Sequence, residues 1–140
     1  MRRQTRLLLS SVAVLLAALI MTAPADAGWA PASYADVDTL EIRTQEEGVD
    51  EHWFPVWLVV IDDQVYVRLG NRAASRVENN VHKPIVGIRI AGDEFASVET
   101  EPVPEMAEQI AEAMAKKYWS DIFVRFVPHP LTLRLSPDGS

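Results

Sequence analysis

The stretch Phe54–Gly70 limits the choice of fold more than any other part of the chain. Its first arm, Val56–Ile61, is apolar on both faces. Val56, Leu58 and Val60 point one way, and Trp57, Val59 and Ile61 point the other. A strand of that kind has to be covered on both sides. Two aspartates, Asp62 and Asp63, make a turn of no obvious type, with no glycine. The second arm alternates, with Val65, Val67 and Leu69 on one face and Tyr66 and Arg68 on the other. The reading is a β-hairpin inside a small closed or layered β structure. Arg68 then stands at the end of a buried strand, just before Gly70, as either a surface charge or an anion site.

Other elements follow by pattern. Thr39–Gln45 alternates as a half-exposed strand. Pro55 suits the entry of the next strand and not its middle. Residues 71–80 suit a short helix with Arg72 and Arg76 on one face. Pro84–Ala91 reads as a strand with Ile85, Gly87 and Arg89 opposite Val86, Ile88 and Ile90, and Gly92-Asp93 is a turn dipeptide. Glu94–Glu101 alternates again, with Phe95 and Ser97 opposite Ala96 and Val98. Pro102–Tyr118 is a long helix whose apolar face is Met106, Ile110, Met114 and Tyr118, joined by Ala107 and Ala111. Trp119–Val127 connects it to a last strand, Leu131–Leu135. Antiparallel hairpins with one covering helix give an α+β, mainly β class: a small barrel or sheet.

The first 27 residues have a basic head, an apolar run from Leu7 to Met21 and an Ala-x-Ala end, which reads as a secretory signal peptide. The Arg2-Arg3 pair leaves the route, general secretory or twin-arginine, open. Gly28–Asp38 reads as a flexible spacer and 39–137 as the folded domain. Cleavage after Ala27 leaves 10 basic against 19 acidic residues, a net charge of about −9. That balance argues against nucleic acid and anionic membrane as partners of the mature protein. No cysteine is present, so neither a thiol nucleophile nor a disulfide exists. His52, His82 and His129 lack metal-ligand spacing, so no metal is expected.

Within this acidic chain, Arg68, Arg72, Arg76 and Lys83 fall within 16 positions, opposed only by Glu78. Arg68, the backbone N–H groups at Gly70-Asn71 and an adjacent helix start form a candidate phosphate cradle. The alternative is a solvated helix face paired with acidic neighbours.

The runs Val56-Trp57-Leu58-Val59-Val60 and Val65-Tyr66-Val67-Arg68, then Asn71, Arg76 and Ile88-Arg89-Ile90-Ala91-Gly92, resemble the flavin-binding split β-barrel superfamily typified by pyridoxamine-phosphate oxidase. Lys117-Tyr118 and Thr132-Leu133-Arg134-Leu135 resemble the helix end and closing strand of a domain family of unknown function within it. The resemblance runs from about Thr39 to Pro137. It implies a six-stranded antiparallel barrel, usually a homodimer, with FMN or the deazaflavin F420 at the dimer interface. By position, it implies that Arg68 and Arg76 hold the cofactor phosphate with Asn71 and Arg72 between them; if a flavin binds, Trp57 or Tyr66 is the candidate to line its ring pocket. Leu69 stands where the family pattern has a serine, and Ala74 and Ser75 where it has an aromatic pair. A small flavin oxidoreductase is one function this implies, since the cofactor carries the redox chemistry. A cofactor-free binding module of the cell envelope is the other.

Overall fold

The structure is a computed structural model, and it describes residues 28–118 and 128–138. Six antiparallel strands close into a barrel in the order β1-β2-β3-β6-β5-β4. They are β1 (Thr39–Thr44), β2 (His52–Ile61), β3 (Gln64–Leu69), β4 (Ile85–Ile90), β5 (Asp93–Pro102) and β6 (Leu131–Pro137). Helix α1 (Asn71–Glu78) follows β3, and helix α2 (Ala107–Lys117) lies between β5 and β6. This is the six-stranded α+β barrel expected from the sequence. The signal-peptide segment and the Trp119–Val127 connection lie outside the described residues.

Both faces of the hairpin are covered, as its composition requires. Leu58, Val65, Val67 and Leu69 join Ile42, Ile88 and Leu133 in the barrel interior, each at most 1% exposed. Ala74 and Val77 of α1 pack against the same core. On the outer face, Val59 and Tyr66 are buried against Ile110, Met114 and Tyr118 of the α2 region, with Trp57 and Ile61 at the margin. The one-residue alternation of the strand thus separates two cores. Asp62 and Asp63 both have positive φ, 49° and 59°, so the hairpin takes the primed turn that matches strand twist. Aspartate tolerates that region, which is how the turn forms without glycine.

Several boundaries differ from the pattern reading. Strand β2 starts at His52 and runs through Pro55. β3 pairs with β2 only from Leu58 onward, so among the described residues no strand pairs with that edge at Pro55, a position where proline is tolerated. The β4–β5 turn is made by Ala91 and Gly92, at φ 51° and 84°, one residue earlier than Gly92-Asp93. The long helix begins later than Pro102. β5 extends to Pro102, the Val103 N–H bonds the Thr132 carbonyl at 2.9 Å, and a 3-10 turn at Pro104–Met106 leads into α2. Buried Val103 holds the chain on the sheet for longer than its proline-rich context suggests.

The alternation along β5 also breaks. Val86 pairs with Val98 but Ile88 pairs with Phe95, so Ala96 and Ser97 together oppose Gly87. This is a β-bulge, and it brings Phe95 and Val98 to the same core that strict alternation would have split them across.

The spacer is packed. A 3-10 turn spans Pro31–Tyr34, and Tyr34 is 2% exposed. Its hydroxyl donates to the Gly28 carbonyl at 2.9 Å. Trp29 meets Tyr34 and Phe95 edge-on, with centroids at 5.6 and 5.1 Å. Two aromatic side chains in eleven residues supply enough apolar area to dock a segment whose composition reads as loose.

Candidate functional site

Arg68 leaves the end of β3 on its outer face, the same face as Trp57 and Tyr66. The structure brings Arg68 and Trp57 together. They line one open groove of about 380 Å³ with Pro55, Val56, Gly70 and His129. The groove is mainly apolar, a size and character suited to a small-molecule site. Gly70 is the N-cap of α1 and, as glycine, makes no side-chain cap hydrogen bond. The first N–H groups of a helix have no acceptor within it, so this end of the groove carries positive character from backbone as well as guanidinium.

Tyr66 does not line the groove. It is 4% exposed beneath α2. Arg76 is separated from Arg68 as well: its guanidinium lies over the Phe54 ring at 5.3 Å, beside a different cavity shared with Thr44, Glu46 and His52. One turn of α1 lies between the positions that face the two cavities, and strand-end and helix arginines close in sequence therefore diverge. Asn71 and Arg72 are exposed on the first turn of α1, and Lys83 is exposed beyond it. The expected cradle thus reduces to Arg68, the start of α1 and the aromatic wall.

Two groove features were not among the sequence candidates. His129 is half-buried in the groove although its position gave no motif signal. Tyr118 stacks on Trp57 with centroids 4.4 Å apart and planes at 4°. β1 pairs with β2 only as far as Thr39–Trp57. Just beyond that pair, side chains from the end of α2 take over the backbone groups. The Tyr118 hydroxyl lies 2.6 Å from the Asp38 carbonyl oxygen and 3.0 Å from that of Leu58, and it accepts from the Leu58 N–H at 3.3 Å. Lys117 Nζ donates to the Val37 and Leu58 carbonyls at 2.6 and 2.9 Å. Burial lowers the Lys117 pKa, while the Asp38 and Asp36 charges act the other way. The Lys-Tyr pair noted in the sequence is therefore a latch behind the groove wall.

Among the described residues, no group of three or more His, Asp or Glu could hold a metal ion, and no helix is long and apolar enough to cross a membrane.

No family model matches the chain, and no curated protein matches it in sequence. Solved structures do match. The haem storage protein HutZ from Vibrio cholerae superposes with a TM-score of 0.57 at 17% identity, over 74% of this chain and 83% of that one. An F420-H2 dependent reductase superposes with a TM-score of 0.53 at 9% identity, over 71% of this chain and 95% of that one. At these identities the likeness is one of fold: the six-stranded barrel of this chain is shared with both proteins.

Proposed function

We propose that this split barrel binds a phosphorylated flavin-type cofactor, FMN or F420, in the Trp57–Arg68 groove, and serves as a small oxidoreductase. The observation that carries the reading is the pairing of the Arg68 cation and a glycine-started helix with an otherwise apolar, aromatic-walled groove. An isoalloxazine or deazaflavin ring suits the wall formed by Trp57, Pro55 and Val56. A phosphate suits the Arg68 end. When bound, the cofactor would supply the hydride or electron chemistry. The chain's own part is to hold the phosphate, orient the ring and keep water from one face of it. The groove is open to solvent on one side, which agrees with a second copy of the chain completing it in a homodimer. Two structural neighbours named for haem storage and for F420-H2 dependent reduction support a cofactor-binding use of the barrel.

The test is titration of the purified protein with FMN, F420 and hemin, followed by absorbance and flavin fluorescence. Saturable FMN or F420 binding is expected. Arg68→Ala should weaken it about ten- to a hundredfold, the size of a lost charge-assisted hydrogen bond of ~1.5–3 kcal/mol. Arg76→Ala, beside a different cavity, should leave it within about twofold. Indifference to FMN and F420 would leave a cofactor-free binding module, and a haem Soret band alone would move the ligand class to haem.

We further propose that the protein is exported, from its basic head, short apolar run and Ala-x-Ala end. Intact mass of the protein recovered from the periplasm or medium should correspond to a chain starting at Gly28. Recovery only as the full-length cytoplasmic chain would refute export.

A further inference from the structure

A second cavity, of about 480 Å³, lies toward the other end of β1 and shares no residue with the Trp57–Arg68 groove. Arg43 of β1 lines it. Glycine inside a strand costs stability unless something has to come close to the backbone there. At Gly87 that something is Arg43: a Cβ on Gly87 would sit 2.8 Å from Cζ and Nε of the guanidinium. The β5 bulge serves the same group. With Ala96 and Ser97 both opposite Gly87, the Ala96 carbonyl accepts a hydrogen bond from Arg43 Nη2 at 3.0 Å. Trp53 lies against the other side, its ring centroid 5.5 Å from Cζ.

The guanidinium is thus held beside Gly87 and the Ala96 carbonyl, while its ion pairing is slight. Glu51 is 3.8 Å away and 60% exposed, against 27% for the Arg43 side chain. Nη1 has no hydrogen-bond partner among the described residues. Thr44, Gln45 and Ser97 supply polar walls, and Glu51, His82 and Asp138 stand around the opening. Behind them Asn80 is 5% exposed and rigidly bonded. It accepts from the Gln45 and His82 N–H groups and donates to the Ile85 carbonyl.

From this arrangement we infer a second binding site, for a small polar monocarboxylate whose carboxylate meets the Arg43 guanidinium. Ordering the arginine in advance removes most of the entropy that a flexible one would lose on binding. The rim carboxylates of Glu51 and Asp138 disfavour a second negative charge on the ligand and complement an ammonium or hydroxyl end. An amino acid and a hydroxy acid both have this chemistry.

Isothermal titration of the purified protein with L-serine, lactate, acetate and citrate tests the site. Serine or lactate should bind saturably at one site per chain, more tightly than acetate, which lacks the second polar end, and than citrate, which carries excess charge. Arg43→Gln should lower that affinity about tenfold or more. Arg43→Lys should fall between, since an ammonium lacks the planar fork. Gly87→Ala should reproduce the loss by pushing the guanidinium from its place, with far-UV circular dichroism confirming the fold of each variant. No binding of serine or lactate by the native protein would overturn the proposal. So would undiminished binding by a folded Arg43→Gln or Gly87→Ala variant.

Discussion

Replacing Tyr118 by alanine is expected to destabilise the fold by about 3–5 kcal/mol, the range for removing a buried aromatic ring. The ring is 9% exposed and belongs to the outer core with Val59, Tyr66, Ile110 and Met114. Its hydroxyl also bridges backbone groups of Asp38 and Leu58 at the place where β1 has stopped pairing with β2. Tyr118→Phe keeps the ring and loses the bridge, so it should cost only ~1–3 kcal/mol, the penalty for buried groups left short of a partner. Urea unfolding curves separate the two effects. The stacked Trp57 adds a local readout: its fluorescence should change strongly in Tyr118→Ala and little in Tyr118→Phe, because only the first removes the partner ring. Equal stability of Tyr118→Ala and the native chain would show that the latch holds nothing. The same variants bear on the groove. Trp57 forms its aromatic wall, so Tyr118→Ala should weaken FMN binding through a loosened wall while Tyr118→Phe leaves it near native.

Alkaline pH should unfold the protein through two phenols. Burial raises the pKa of Tyr34 and of Tyr118, with nearby Asp93 and Asp38 adding to the rise and backbone hydrogen bonds opposing it. The folded state therefore keeps both protons to higher pH than the unfolded chain does. The stability from these neutral phenols is fully present below the ordinary phenol value of about 10 and is lost as pH rises beyond it toward the raised folded values. Lys117 works in the opposite sense. Its depressed pKa means that burying its charge costs stability at neutral pH, a cost relieved as pH climbs toward the ordinary lysine value. The loss at the two phenols is expected to outweigh the relief at the one half-buried amine. Far-UV circular dichroism and the 295 nm phenolate absorbance should change together above about pH 10, and Tyr118→Phe should move that alkaline midpoint upward relative to its own neutral-pH stability. Phenolates of Tyr34 and Tyr118 appearing near pH 10 in a protein that keeps its native spectrum would contradict this account.

The fold was legible where burial obeys the local period. Alternation along Val56–Leu69 sorted the side chains correctly into two faces, because each strand residue can face only one of two sides; the structure makes one face barrel interior and lays the other under α2. The same rule failed at Phe95 and Val98, since an inserted residue resets the alternation and leaves no compositional mark. It was also silent on Trp29 and Tyr34, which dock by aromatic area alone, without a periodic pattern.

The candidate site was half legible. Arg68 and Trp57 line one groove, because adjacent antiparallel strands place them on one face. Arg76 and Tyr66 part from them. Helical rotation carries Arg76 toward Phe54, and α2 closes over Tyr66. His129 entered the groove from a distant stretch of chain without any motif to announce it.

Residue order by itself determined the hairpin, its two apolar faces, the amphipathic stripe of α2 and a net negative charge, since these depend only on neighbours and on counting. Which cations share a cavity, which glycine makes room for an arginine and which tyrosine braces a tryptophan were decided only by the closed barrel. Tertiary packing brings together groups 80 residues apart, as between Asp38 and Tyr118, and no local period encodes that distance.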